Sequence, residues 1–178
     1  MRGKYKVGLS ILGIVLIAVL AYNVIVHSTL FFAFSPVFMP SKDAIEKSYE
    51  QNKADLLIVA EYVKSMEYDS IYISSNDGTV FVSDSQTGSV GTNIEIDDPM
   101  VTSAANHLFQ ASRYNMISAV KNEFIAFQTW STRDKGCGIA YSLNGNEPAI
   151  EFLTELAPLS ELGWYYYVSD FDEYRRNK

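Results

Sequence analysis

From Val7 to Val26 the chain reads VGLSILGIVLIAVLAYNVIV, twenty residues without a charged side chain. A helix rising about 1.5 Å per residue covers roughly 30 Å over that length, the thickness of the hydrocarbon core of a bilayer. Backbone groups in lipid must bond within their own segment, so the run predicts a helix that crosses the membrane. Leu30-Phe31-Phe32-Ala33-Phe34 prolongs the apolar character, and the expected anchor is residues 7–34. A cleaved signal peptide is the alternative, but it has a shorter apolar core followed by a small-residue cleavage site, and no such site follows here. Arg2, Lys4 and Lys6 precede the run, which places residues 1–6 in the cytoplasm and the rest of the chain outside. Pro36 and Pro40 interrupt regular helix, so residues 35–41 read as a linker. The expected location is the cell membrane, with a single pass and an extracytoplasmic domain.

Charge divides at the same boundary. Residues 1–41 hold three basic side chains and no acid, whereas residues 42–178 hold 11 basic and all 21 acidic ones, a net −10. An acidic body lacks the basic face that neutralises phosphates, which excludes nucleic acid as a partner. With one cysteine, Cys137, the chain forms no intramolecular disulfide and no multi-cysteine metal site. Asp97-Asp98 lacks the ligand spacing of a calcium loop, and Asp98 reads better as a helix cap; no metal and no cofactor are expected.

In the outer part, Ser41 is a good N-cap, and Ile45, Tyr49, Asn52, Leu56, Val59, Val63 and Met66 recur in steps of four and three. They predict one amphipathic helix over 42–67 whose stripe covers a sheet. The spacing is also that of a heptad, so a homodimer through helix 42–67 is the alternative. Ser70 to Ser74 and Thr79 to Ser83 flank an Asn76-Asp77-Gly78 turn and predict a β-hairpin. Residues 84–98 read as a long polar loop, and Asp98-Pro99 opens a second helix running to about Ser112. Residues 115–120 with 123–130 predict a second hairpin, and 138–143 and 163–169 two further strands. Residues 146–162, with Pro148 and Pro158, read as an irregular crossing or a short helix, and 170–178 as a charged tail. The expected fold class is α+β: an antiparallel sheet of about five strands packed against two helices over residues 42–169.

The anchor, the long helix after it, the hairpin Ile71 to Val82 with its Asp77-Gly78 turn, the Val90-Gly91-Thr92-Asn93-Ile94 segment and the following helix and strands resemble the extracytoplasmic Cache or PAS-like sensor domains of bacterial membrane receptors. The resemblance covers residues 42–143 in the order of elements. It implies a ligand-binding sensor fold. The chain departs from the family by not re-entering the membrane after the domain, and by lacking the Arg, Tyr and Asp set that holds amino-acid ligands there.

Two chemistries compete in the outer domain. Cys137 follows Arg133, Lys135 and Gly136, and His107 is the one outer histidine, so a thiol enzyme would have to use this pair. A lone free cysteine that begins a strand is more often a small buried hydrophobe. The other reading is aromatic: Trp164, Tyr165, Tyr166 and Tyr167 alternate across one strand, and rings on a sheet face not covered by helices mark a ligand or partner surface. Tyr72, Trp130, Trp164 and Tyr166 are the residues expected to line it. The function expected is a membrane-anchored binding or sensor-like module without catalytic machinery, taking a small ligand or an envelope protein. A thiol enzyme, or a structural subunit of a membrane complex, is the alternative.

Overall fold

Ser41 opens the first helix, α1 (Lys42–Ser65): its hydroxyl accepts from the Ala44 amide at 3.3 Å, and Asp43 sits in the first turn, where the helix dipole favours an acid. The computed structural model describes residues 39–67, 69–84 and 93–170. The expected anchor 7–34, most of the linker, the loop core 85–92 and the tail 171–178 lie outside the described residues. Among the described residues no helix is long and apolar enough to cross a membrane. Residues Met39–Lys178 form one compact unit.

Eight strands follow α1, joined by one further helical segment: β1 (Ser70–Asn76), β2 (Thr79–Asp84), β3 (Ile94–Glu95), α2 (Pro99–Asn106), β4 (Met116–Val120), β5 (Phe124–Ser131), β6 (Lys135–Ser142), β7 (Leu153–Pro158) and β8 (Trp164–Asp170). A π-helical turn, His107–Ala111, prolongs α2. The class is α+β, as expected, but the sheet is wider than five strands: its order is β3-β2-β1-β4-β5-β6-β8-β7, with every pair antiparallel. The β1–β2 turn has Asp77 at φ 50 and Gly78 at φ 84, the positive pair that a two-residue turn needs to match strand twist.

Two strands escape the periodicity reading for physical reasons. β3 is two residues long, inside the segment expected to be loop, and carries no alternation. β7 lies in the stretch read as irregular or helical. It is an edge strand, bulged between Leu153 and Glu155 and ended by Pro158, whose missing amide is tolerated only at an edge.

The helices cover one sheet face. Six of the seven stripe positions of α1, from Ile45 to Val63, are buried there together with Ile73, Ile117, Ile125, Phe127 and Ile139. The stripe that would have formed a dimer seam is thus used within one chain. On the opposite face Phe124, Ala126, Ala140 and Tyr167 form a second, smaller core, with Ile150 from the β6–β7 connection and Leu153 and Leu156 of β7 packed against it. That cover reaches β4 at Val120.

Candidate functional site

The four aromatic residues singled out from sequence fall on different sides of the sheet. Trp164 and Tyr166 are 3% and 2% exposed and face the helices. Trp164 is the hub of an aromatic core, with ring centroids 5.4 Å from Tyr49, 5.9 Å from Phe127 and 4.6 Å from Tyr141. Trp130 is half-buried and packs against the same cluster. Burial pushes the Tyr166 phenol up to about 12, with Glu155 and Cys137 adding to the rise. Only Tyr72 points away, 43% exposed on the other face. Strand alternation separates Trp164 and Tyr166 from Tyr165 and Tyr167, but which pair meets the helices is decided by where α1 lands.

Cys137 and His107 have separate partners. Cys137 is fully buried on β6, facing the helices, with the Thr129 hydroxyl 4.0 Å from its sulfur. Burial pushes the thiol up to about 11, so at neutral pH it carries its proton. His107 begins the π turn at the surface and its Nδ1 lies 2.6 Å from the Asp55 carboxylate of α1. Among the described residues no cluster of three or more His, Cys, Asp or Glu is placed to hold a metal ion.

A cleft of about 440 Å³ runs between the first half of α1 and the β7–β8 turn, lined by Asp43, Glu46, Lys47, Tyr49, Glu50 and Pro158 to Ser160. Much of its polar chemistry is already engaged across the gap. The Ser160 hydroxyl donates to Glu50 at 2.5 Å, and the Tyr49 hydroxyl donates to Glu161 at 3.2 Å. Lys53 meets the other oxygen of Glu161 at 2.5 Å. The hydrogen bond from Lys53 holds the Glu161 carboxyl below its usual range, and that same bond raises the Lys53 ammonium. These contacts latch the turn to the helix. Neither Lys53 nor Glu161 stands out in the sequence, because 108 positions separate them.

Among the described residues, the second core does not extend over β1 and β2, and on β4 it reaches only Val120. The outward positions are Ser70, Tyr72 and Ser74 on β1, Phe81 and Ser83 on β2, and Met116, Ser118 and Val120 on β4. Tyr72 lies opposite Ser83 on one side and Ser118 on the other, and Phe81 lies opposite Ser74. Tyr72 and Phe81 are therefore diagonal neighbours, close enough for their rings to form one surface. Alternation along adjacent strands sets rings and hydroxyls side by side, and exposed Glu95 of β3 lies directly opposite Phe81 on the same face. Phe81, Ser74 and Ser118 went unremarked in the sequence because each looks like an ordinary solvent-facing strand residue until the pairing sets them beside Tyr72.

Compared with protein-family profiles, with curated proteins and with solved structures, the chain has no match. The likeness to Cache and PAS-like sensors therefore rests on the order of elements and the Asp77-Gly78 hairpin.

Proposed function

We propose that the protein is a membrane-anchored binding module: residues 7–34 cross the bilayer, residues 1–6 are cytoplasmic, and residues 42–169 form an extracytoplasmic domain that captures a ligand instead of transforming it. The observation that carries the binding reading is Tyr72, 43% exposed on the part of the sheet face, β1 and β2, that no core of the described residues covers. A large aromatic left exposed while the neighbouring half of the same face is covered by its own chain supports a recognition surface. The anchor is supported by the uncharged run and the basic residues ahead of it. The burial of Cys137 and the engagement of His107 by Asp55 count against a thiol enzyme built on that pair.

Two measurements test this. Protease added to intact spheroplasts should remove the domain; protection of residues 42–169 would overturn the orientation. A thermal-melt screen of residues 39–178 against sugars, amino acids, small carboxylates and divalent ions should find a stabilising class. A ligand at 100 times its dissociation constant adds about 2.7 kcal/mol. A flat screen on a cooperatively melting domain would remove the small-ligand reading.

A further inference from the structure

Asn144 and Gly145, where β6 runs out into its connection with β7, are the one Asn-Gly pair in the sequence. Such a pair carries an internal reaction: the amide nitrogen of the second residue can attack the side-chain carbonyl of the first, and glycine puts no side chain in the way. Whether a fold permits it depends on the attacking amide and on the oxygen that receives charge. At Asn122, which has φ 59 in the β4–β5 turn, the following Glu123 amide is tied down, donating to the Val120 carbonyl at 3.1 Å. At the Asp77-Gly78 turn the Gly78 carbonyl is held by Asn106 Nδ2 at 2.5 Å, and the side chain under attack would be a carboxyl group, a poorer electrophile than an amide. Gly145 differs from both. It stands exposed at φ 79 with open space around it, and among the described residues its amide has no acceptor.

The receiving oxygen already has its donors. Asn144 Oδ1 accepts from the Asn146 amide at 2.8 Å and from the Ser142 hydroxyl at 3.4 Å. Negative charge collects on this oxygen when nitrogen adds to Cγ, and donors fixed beforehand where charge develops lower the barrier. Ser142 is buried and held in place by β6, its own amide donating to the Gly163 carbonyl at 2.8 Å. We propose that Asn144 is a self-modifying site, at which the folded chain promotes conversion of its own asparagine to aspartate and isoaspartate with water as the only co-reactant. Hydroxide removes the Gly145 amide proton, the nitrogen bonds to Asn144 Cγ, and Nδ2 leaves as ammonia, closing a five-membered succinimide. Water then opens the ring. Addition at Cγ gives aspartate at position 144; addition at the backbone carbonyl carbon gives isoaspartate, whose main chain runs through the former side chain and is one carbon longer. Nothing is oxidised or reduced: an amide and a water become an acid and ammonia. Every group that takes part belongs to residues 142–146 or to water, so the site needs no partner and stands independently of the binding-module reading. Each event adds one negative charge to an acidic domain, and the isoaspartyl form lengthens the connection that carries Ile150 onto the second core.

The test holds the full chain in detergent micelles at mildly alkaline pH, beside the same chain unfolded in urea. Samples are digested with pepsin in acid, where ring closure stops, and peptides spanning residues 142–146 are read by mass spectrometry for the amide-to-acid mass gain and for the two product isomers. The folded chain should convert position 144 at least as fast as the unfolded one, while Asn122 stays unchanged over the same period. Ser142→Ala should slow conversion severalfold in the folded chain, at an unchanged melting temperature, and leave the urea rate as it was. Asn144→Gln, whose extra methylene demands a six-membered ring, should abolish the reaction. A folded rate about tenfold below the urea rate overturns the inference, because the turn then pins the reactants apart. A folded rate that Ser142→Ala leaves untouched overturns it as well, since the fold then contributes nothing to the step.

Discussion

Cys137 shows how burial settles chemistry at the scale of one side chain. Its thiol is fully enclosed, and the raised pKa means that the native state holds a proton the unfolded chain releases near the ordinary value of 9.0. Stability from this group is present below pH 9 and is lost as pH rises from there through about 11. Ellman's reagent at pH 8 should therefore leave the folded protein unmodified and react fully in urea; rapid reaction in buffer would show the burial to be wrong. The two glycines around it make a second, sharper contrast. A Cβ at Gly138 would lie 2.2 Å from the Phe127 carbonyl oxygen, backbone of the paired strand, with no freedom to move. At Gly136 the nearest atom, at 2.7 Å, is the terminal nitrogen of the Gln128 side chain, which can swing aside. Gly138→Ala should cost about 3 kcal/mol or more in urea denaturation, and Gly136→Ala distinctly less.

At the scale of elements, α1 is held by its buried stripe and α2 by its cap. Leu56 is fully buried against the sheet, and Leu56→Ala should destabilise by about 2–5 kcal/mol, read from the shift in denaturation midpoint. The Asp98 carboxylate accepts from the amides of Met100 and Val101 at 2.9 and 3.2 Å, so Asp98→Ala should cost about 1 kcal/mol. These two helices were legible in the sequence because the stripe and the Asp98-Pro99 pair are local signals. So was the β1–β2 hairpin, whose turn depends on residues that tolerate positive φ. Pairing beyond the two hairpins β1–β2 and β4–β5 was not legible, since β3 and β7 owe their existence to neighbours: two residues of β3 are strand only because β2 lies beside them. The same limit explains the site. Tyr72 stood out as a single residue, but its companion Phe81 depends on register, and Trp164 and Tyr166 depend on which face α1 covers.

For the whole domain, the internal use of the helix stripe bears on assembly. With Ile45, Tyr49, Leu56, Val59 and Val63 all buried in one chain, residues 39–178 should sediment as a monomer at micromolar concentration. A dimer disrupted by Leu56→Ala would instead show that the stripe exchanges between copies. The latch between α1 and the β7–β8 turn has a further consequence, for the order in which the domain is made. Of the described elements α1 is made first, yet the groups that close over its first half, Glu161 and Trp164, come more than a hundred residues later. The strands from β2 to β6 each add beside one already present, whereas β7 pairs with β8, made after it, and no early intermediate can bury Tyr49. An unfinished chain therefore presents an unsealed apolar stripe on α1, the signature by which quality-control proteases and chaperones recognise incomplete products, until the last strand arrives and hides it.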